Sequence, residues 1–387
     1  MPYDFESPVN RRNTNSVKWD VKPNELPLSI ADMDFRTAPE IVSAIQTRAE
    51  TGIFGYEEVP QAYFEAVANW YRDQHDWQPK TDWMLFATGV VPTISSAVRR
   101  LSQIGDNVLI QSPVYNIFYN SILNNGRHVL SSDLVYTDGT YTVDWADLET
   151  KMADPLTSLM IFCNPHNPTG HIWETTELER IGALATKYHV VVIADEIHGD
   201  VTDTGYQYVP FASVNDVNAQ NSVTCVSPSK TFNVAAMHVA TVIVPNPELR
   251  AIVNRGLNTD ELAETNPFAV PASVAAYTLG AQWVTELRQV ITAHKQQLTA
   301  FMAANLPQVH VITGHATYLM WLDVSAVTTD AAALTAFLRE KTGLIVADGN
   351  AYGPNGKLFI RISVACPTAE LTDGLNRLKQ GIDAYHD

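Results

Sequence analysis

The chain has 387 residues, of which 46% are hydrophobic and 17% are charged, so it can bury a large core. This composition excludes a disordered chain, a collagen and a coiled coil. Asp and Glu number 42 against 25 Lys and Arg, and the net charge of −17 argues against a nucleic-acid partner, because the average surface repels a polyanion.

The cysteines and the N-terminal residues indicate the cellular compartment of the protein. Cys163, Cys225 and Cys366 are odd in number, lie far apart and form no CxxC pair, so we expect neither a disulfide framework nor a metal site. The first twenty residues contain no apolar stretch typical of a secretory signal. No run of 18 apolar residues occurs, so we expect no membrane partner. The sequence therefore predicts a protein of the cytoplasm.

In chain order, a polar and irregular segment precedes a series of short apolar runs. A helical pattern with Leu178, Ile181 and Leu184 separates two of these runs, and Thr176 and Glu179 before it form a possible capping box. Runs of this kind are typical of strands buried on both faces of a parallel sheet. The order strand, helix, strand predicts an α/β fold with a mostly parallel sheet flanked by helices. The apolar runs are Val108–Ile110, Leu159–Phe162, Val190–Ala194, Val223–Val226 and Val239–Val244.

The pattern changes after about residue 285. A long helical stretch from Pro271 to Ala304 could bridge two units, and the residues beyond it predict a separate α+β unit. We therefore predict an N-terminal segment (1–45) that packs with the small domain, a large domain (46–284) and a small C-terminal domain (285–387). The elements predicted for the small domain are a strand at Thr317–Val324, a strand pair at Leu344–Val346 and Leu358–Ser363, and a last helix at Thr368–Ala384.

Three polar loops follow predicted strands, at the edge where open parallel sheets bind their ligands. They contain Asn167, Asp195 and Lys230. A lysine amine can condense with an aldehyde, a carboxylate can keep a pyridine nitrogen protonated, and an amide can donate to a phenolic oxygen. This set suits an aromatic aldehyde cofactor that carries a basic ring nitrogen, a phenolic oxygen and a phosphate.

The sequence also contains residues that could bind the phosphate and the ring face of such a cofactor. Ser227 and Ser229 flank Lys230, and the segment with Gly89, Val90 and Val91 opens a helical stretch whose backbone N–H groups can bind an anion. Tyr115 is available to stack on a flat ring.

At these residues the chain resembles the fold-type-I pyridoxal-phosphate enzymes of the aminotransferase class I/II superfamily, almost from end to end. The resemblance implies pyridoxal 5'-phosphate as cofactor, with Lys230 as its lysine, Asp195 on the ring nitrogen, Asn167 on the ring oxygen and Tyr115 on the ring face. The motifs that carry it are HNPTG at 166–170, DE at 195–196, SPSK at 227–230 and FIRIS at 359–363.

Two further residues come from the same resemblance. It implies that Arg361 binds the substrate α-carboxylate, a role that suits the planar fork of a guanidinium. It also implies a homodimer in which Tyr56 reaches the cofactor phosphate of the neighbouring subunit. Tyr115 and Asn167 would border the substrate as well, and the catalytic set would be Lys230, Asp195 and Tyr115.

A narrower resemblance is to the MalY/PatB type of cystathionine β-lyase. Two departures from the aminotransferase pattern accompany it: His198 stands where a tyrosine is frequent, and His238 stands where an arginine is frequent, so neither receives a role. The motifs of this type are ADMDF at 31–35, TGVVP at 88–92, NPHNPTG at 164–170, DEIH at 195–198 and SKTFN at 229–233.

This resemblance implies a carbon–sulfur lyase. It would cleave L-cystathionine or a related cysteine conjugate, a small sulfur amino acid, by β-elimination to a thiol, pyruvate and ammonia. Two alternatives stay open at this point. The general motifs also allow an aminotransferase, and a third possibility is a protein that acts mainly by binding a regulator.

Overall fold

The computed structural model describes residues 3–386, which form thirteen α-helices, fifteen strands and five short 3-10 helices. Up to the end of the larger sheet, the elements are β1 (Leu26–Pro27), α1 (Pro39–Glu50), α2 (Gln61–His75), β2 (Met84–Ala87), α3 (Val90–Leu101), β3 (Asn107–Ile110), α4 (Ile117–Leu123), β4 (His128–Ser131), β5 (Val135–Thr137), β6 (Thr140–Thr142), α5 (Trp145–Met152), β7 (Thr157–Cys163), α6 (Thr175–Lys187), β8 (Val191–Asp195), α7 (Asp216–Gln220), β9 (Ser222–Val226), α8 (Pro228–Thr231) and β10 (Ala240–Ile243). The later elements are α9 (Pro247–Thr259), α10 (Ala269–Leu279), α11 (Ala281–Asn305), β11 (His310–Val311), β12 (Leu319–Asp323), α12 (Ala331–Thr342), β13 (Leu344–Ile345), β14 (Ala347–Asp348), β15 (Phe359–Ser363) and α13 (Thr368–Ala384). The 3-10 helices are Thr81–Trp83, Phe211–Ser213, Ala235–Met237, Gly349–Tyr352 and Pro354–Gly356.

The larger sheet has seven strands in the order β2-β10-β9-β8-β7-β3-β4. All pairs from β9 to β4 are parallel, which confirms the α/β fold with a mostly parallel sheet. β10 is the exception, because it runs antiparallel to both β2 and β9. The apolar run Val239–Val244 therefore does not mark a parallel strand. Its link to β9 contains only α8 and a 3-10 turn, whereas parallel neighbours are usually joined by a crossover helix.

The strands of this sheet are buried on both faces, as their apolar runs predict. In β7, Leu159 and Ile161 pack into a core cluster on one face, together with α3, whereas Met160 and Phe162 pack into the cluster on the other face, together with α6. The two faces alternate because successive side chains of a strand point in opposite directions. Helices on both faces leave the strand ends as the accessible edge.

Two helical predictions need correction. The capping box of α6 is formed by Glu174 and Glu177, two residues before the predicted pair of Thr176 and Glu179, because the chain enters the helix earlier. The stretch from Pro271 to Ala304 is not one helix: α10 ends and α11 begins at Gly280. The ring of Phe232 lies so close to Gly280 that an added Cβ would come within 2.3 Å of it.

The smaller sheet has the strand order β11-β12-β15-β14, and all its pairs are antiparallel. The predicted pairing of Leu344–Val346 with Leu358–Ser363 is wrong, because β13 pairs in parallel with β1 and β14 takes its place beside β15. Helix α13 has the predicted bounds.

The N-terminal segment is joined to this region by the β1–β13 pair and by an ion pair between Glu25 and Arg339. These contacts agree with the predicted packing of the N-terminal segment against the small domain. The division at residues 45 and 284 stays a prediction, and helices α1 and α11 run across the two boundaries. Within residues 3–386, no helix combines the length and the apolar character needed to cross a membrane.

Candidate active site

A cavity of about 570 Å³ opens where strands β7, β8 and β9 end. The N-terminus of α3, the 29–31 segment and parts of the smaller sheet close its other sides. Of the residues predicted from the sequence, nine line this cavity: Gly89, Val90, Val91, Tyr115, Asn167, Asp195, Ser229, Lys230 and Arg361.

Lys230 lies on the short helix α8, directly after the end of β9. Its Nζ donates a hydrogen bond to the carbonyl oxygen of Ala31 at 2.7 Å. Burial lowers the pKa of the Lys230 amine, and the nearby Arg361 cation lowers it further, while Asp32 and Asp195 oppose this effect. The neutral amine that a nucleophile or base requires is therefore more accessible than in an exposed lysine.

The segment that accepts this hydrogen bond is held by buried charges. Asp34 accepts hydrogen bonds from Lys18 Nζ and from Trp19 Nε1, both at 2.6 Å, and Arg11 pairs with both Asp34 and Asp32. These acidic residues therefore anchor the N-terminal segment above the cavity.

Asp195 is the last residue of β8 and is buried. Burial raises the pKa of its carboxyl to about 6, although the backbone N–H of Ile197 donates to Oδ1 at 3.2 Å and Lys230 lies nearby. A cation placed against this carboxylate would stabilise its ionised form. Asp195 is thus suited to hold a protonated ring nitrogen.

Asn167 and Arg361 meet although 194 residues separate them in the chain. Arg361 lies in β15, and its Nη1 donates to Asn167 Oδ1 at 3.1 Å while its Nη2 donates to the carbonyl oxygen of Ser29 at 2.9 Å. Its guanidinium carbon lies 4.9 Å from the ring centroid of Tyr352. The Nε atom of Arg361 is buried without a hydrogen-bond partner. This buried cation can accept a carboxylate ligand.

Tyr115 follows β3 at the wall of the cavity. Its ring packs edge-on against Phe118, with 5.8 Å between the centroids. Burial raises the pKa of the Tyr115 phenol to about 12, with a further contribution from Asp195. The side chain therefore remains a neutral aromatic surface at neutral pH.

The phosphate-binding prediction concerns the N-terminus of α3. Gly89 precedes the helix with a φ of 141°, a conformation that L side chains rarely adopt. Val90 and Val91 begin the first turn, whose N–H groups have no partner within the helix. All three residues line the cavity, so this helix end can bind an anion there.

Ser227 does not line the cavity. Its Oγ accepts a hydrogen bond from the Ser229 backbone N–H as the N-cap of α8, and it donates to the carbonyl oxygen of Val239 at 2.6 Å. It also lies 2.6 Å from the Ser229 hydroxyl, which does line the cavity. The geometry gives Ser227 a supporting position behind Ser229.

Tyr56 does not line the cavity either. Its side chain is 99% exposed, and the neighbouring Ile53 and Phe54 are exposed as well. This apolar segment lies on the surface of the single chain.

Two histidines line the cavity without a role derived from the sequence. His198 is buried with Nδ1 unpartnered, and burial, Lys230 and Arg361 lower its pKa to about 3, so the ring is neutral. His238 lies two residues before β10 and lines the same cavity. Tyr352 and Ser29 also belong to the site, and no motif indicated them.

The three cysteines are free and buried. Cys163 lines the cavity beside Asp195, and burial raises its pKa well above the ordinary value, so it remains a thiol. Within the described part of the chain, no group of three or more His, Cys, Asp or Glu side chains is arranged to hold a metal ion.

The fold and this site define a class of protein. The family model "Aminotransferase class I and II" matches residues 23–378. The chain belongs to this family.

Three individual proteins are similar to this chain over nearly its whole length. Cystathionine beta-lyase PatB of Bacillus subtilis is 40% identical over 386 residues, which cover 98% of this chain and 100% of PatB. Protein MalY of Escherichia coli is 32% identical, with 99% of both chains covered. The crystal structure of cystalysin from Treponema denticola, which contains a pyridoxal 5'-phosphate cofactor, superimposes with a TM-score of 0.96 at 31% identity and covers 99% of both chains.

Proposed function

We propose that this protein is a pyridoxal-phosphate-dependent carbon–sulfur lyase of the cystathionine β-lyase type. The observation that carries the proposal is the convergence of Lys230, Asp195, Asn167 and Arg361 on one cavity. The similarity to PatB over nearly the whole chain favours β-elimination over the other reactions of the family. With L-cystathionine, the enzyme would break the Cβ–S bond and release homocysteine, while the remaining fragment takes up water to give pyruvate and ammonia.

The donor set of the cavity fits the cofactor. It combines an amine with a lowered pKa, a buried carboxylate, an amide and a helix N-terminus. When bound, pyridoxal phosphate supplies an aldehyde for the substrate amine and an electron sink for the pair left at the substrate Cα. Asn167 would donate to its ring oxygen, and Asp195 would hold its ring nitrogen protonated.

Four residues of this chain would have separate roles in the reaction. Lys230 would hold the cofactor at rest and, once released, take the Cα proton as a general base, for which its lowered pKa prepares it. Arg361 would bind the substrate α-carboxylate, with Asn167 beside it, and so orient the Cα–H bond. Tyr115 would support the ring face and border the substrate.

The anionic end of the cofactor would lie at the opposite side of the cavity. Gly89, Val90 and Val91 would bind the phosphate through the first turn of α3, and Ser229 would add a hydroxyl that Ser227 positions. The net charge of −17 does not attract such a ligand, so the local N–H and hydroxyl donors must provide the binding.

We further propose a homodimer in the cytoplasm. The exposed side chains of Ile53, Phe54 and Tyr56 form an apolar surface that a second copy of the chain would cover. Tyr56, which does not line its own cavity, would then complete the phosphate site of the neighbouring subunit. Three buried free thiols agree with a reducing compartment.

A product assay tests the function. We expect the holoenzyme to release pyruvate and a thiol from L-cystathionine, and Lys230→Ala to lose the yellow absorbance and lower the rate at least about a thousandfold.

If cystathionine gives no pyruvate and a keto acid instead accelerates a half-reaction, the protein is an aminotransferase. If the protein neither eliminates nor transaminates but recovers a transcription factor from its host, the regulatory alternative stands. A panel of cysteine conjugates would identify the preferred thiol.

A further inference from the structure

Asp200 is a buried carboxylate that has no part in the proposed reaction. It lies at the end of the turn that follows β8 and Asp195, and only 5% of its surface is exposed. Its backbone carbonyl oxygen accepts a hydrogen bond from Nε of Arg288, in α11, at 2.7 Å. Asp200 does not line the cavity, so any contribution to the site must pass through a neighbouring residue.

Both carboxylate oxygens of Asp200 have polar partners. Oδ1 accepts a hydrogen bond from Trp70 Nε1 at 2.8 Å and lies 2.7 Å from His75 Nε2, both in helix α2. Oδ2 accepts a hydrogen bond from the Thr231 hydroxyl at 2.7 Å. Burial opposes ionisation, but the hydrogen bonds with His75 and Thr231 and the Arg288 cation outweigh it and hold the pKa of Asp200 below its ordinary value. Asp200 is therefore a buried negative charge with donors on two sides.

Thr231 connects this carboxylate to the lysine of the site. It is fully buried and directly follows Lys230 in α8, a helix of four residues. A single helical turn is not stable by itself, so its orientation depends on contacts with the rest of the protein. Ser227 caps the beginning of α8, and the Thr231 hydroxyl fixes its end to Asp200. Lys230 lies between these two contacts.

The hydrogen bond between Thr231 and Asp200 also joins two strand ends. β8 and β9 are parallel neighbours; Asp195 is the last residue of β8, and α8 follows β9. The turn 196–201 is closed by two backbone hydrogen bonds of 3.0 Å and continues directly from β8. The contact therefore fixes the helix that carries Lys230 relative to the strand that carries Asp195.

We propose that Asp200 is a positioning residue for Lys230, which it holds through the Thr231 hydroxyl in the place from which the amine removes the Cα proton. The inference rests on the proposed function, since it concerns the placement of the proposed base. Proton transfer depends steeply on geometry, and a displacement of about 1 Å can cost about a hundredfold in rate. Loss of the Thr231 hydroxyl would act on this step and leave the carboxylate site at Arg361 intact.

The first test compares kcat and KM of the cofactor-loaded enzyme for L-cystathionine. Thr231→Val keeps the branched shape but has no hydroxyl, so we expect kcat to fall about tenfold to a hundredfold while KM stays within about twofold. The isotope effect on kcat with substrate deuterated at Cα should increase, because proton removal becomes the slower step. Thr231→Ser retains a hydroxyl and should keep most of the wild-type kcat.

The second test does not depend on catalysis. The backbone N–H groups of Phe232 and Val234 donate to the carbonyl oxygens of Pro228 and Ser229 at 2.9 and 3.1 Å, so their hydrogen exchange reports the opening of α8. In the full chain without cofactor, both amides should exchange about fivefold to tenfold faster in Thr231→Val than in the wild type. In Thr231→Ser they should exchange as in the wild type.

The chain offers a matched control in Thr241. This residue of β10 is also fully buried, and its hydroxyl lies 2.7 Å from that of Tyr63, away from the cavity. Thr241→Val should lose stability but keep the wild-type kcat, isotope effect and hydrogen exchange in α8.

Two results would overturn the inference. One is a wild-type kcat and isotope effect in Thr231→Val that is fully loaded with cofactor. The other is a fall in kcat no larger than that of the control Thr241→Val, which would show that any lost buried hydrogen bond has the same effect. A wild-type enzyme that forms no pyruvate from L-cystathionine would instead overturn the proposed function, and the exchange measurement would still decide whether Asp200 and Thr231 hold α8.

Discussion

Asn233 binds the backbone of Met33 at both of its polar groups. Its Oδ1 accepts a hydrogen bond from the Met33 N–H at 3.1 Å, and its Nδ2 donates to the Met33 carbonyl at 3.0 Å and to that of Phe35 at 2.9 Å. Asn233 lies three residues after Lys230, and Met33 lies two residues after Ala31, which accepts the lysine's hydrogen bond. Two sequence motifs some 200 residues apart thus form one unit around the lysine.

This unit predicts the effect of Asn233→Asp. Aspartate tolerates the left-handed φ of 56° but cannot donate to the carbonyls of Met33 and Phe35. We expect a loss of about 1–3 kcal/mol in the free energy of unfolding, because the buried Phe35 carbonyl loses the Asn233 donor and the Met33 carbonyl is left with its hydrogen bond from Arg11. Urea unfolding measures the loss. The absorbance–pH curve of the holoenzyme should shift as well, because the carbonyl of Ala31 near Lys230 is displaced. A spectrum identical to that of the wild type would contradict the link to the lysine.

Arg361→Lys tests the carboxylate site. Lysine keeps the charge but loses the fork that contacts Asn167 and Ser29, so we expect kcat/KM to fall about 100-fold to 1000-fold, mainly through KM. The wild type should discriminate strongly against the methyl ester of its substrate, and the variant should discriminate less, because it keeps the charge but loses the fork. Arg339→Lys, far from the cavity, is the control. If Arg361→Lys discriminates against the ester as the wild type does, another group binds the carboxylate.

Glu25 predicts how stability depends on pH. Its hydrogen bonds with Arg339 and with the Lys22 backbone lower the pKa of its carboxyl to about 2, from an ordinary value of 4.5. Because the folded pKa lies below the unfolded one, the stabilisation is fully present above pH 4.5 and is lost as the pH falls towards 2.

Glu25→Gln should therefore destabilise the protein at pH 7 by roughly 1 kcal/mol, a small effect because the Arg339 side chain is 51% exposed and screened by water. Urea unfolding at pH 7 and at pH 3 measures this, and the difference between variant and wild type should shrink at the lower pH. If the variant and the wild type differ by the same free energy of unfolding at both pH values, the loss of stability comes from packing and not from the charge of Glu25.

The proposed role of Tyr56 predicts that two different inactive variants restore activity when they form a mixed dimer. If Tyr56 serves the neighbouring site, a mixed dimer of Tyr56→Ala and Lys230→Ala contains one site with both residues intact. Equal co-expression should then restore about a quarter of the wild-type activity, because half of the randomly paired dimers are mixed. Tyr206→Ala, another exposed tyrosine, replaces Tyr56→Ala in the control. Absence of recovery in dimers that form normally would place Tyr56 outside the partner's site.

The sequence by itself determined the class of fold and most of the polar residues of the site. Buried parallel strands leave a signal in consecutive apolar residues, and the loops after them are the places where such sheets bind ligands. For that reason Asn167, Asp195 and Lys230 are recognisable from the sequence alone.

Only the tertiary structure decided which long-range contacts complete the site. Neither the antiparallel direction of β10 nor the pairing of β13 with β1 follows from local periodicity, because both depend on which edge is free when the chain packs. The positions of Tyr352, which follows β14, and of His238, which precedes β10, depend on those pairings. Composition, spacing and motifs describe each segment alone, whereas the cavity is formed between segments that are far apart in the chain.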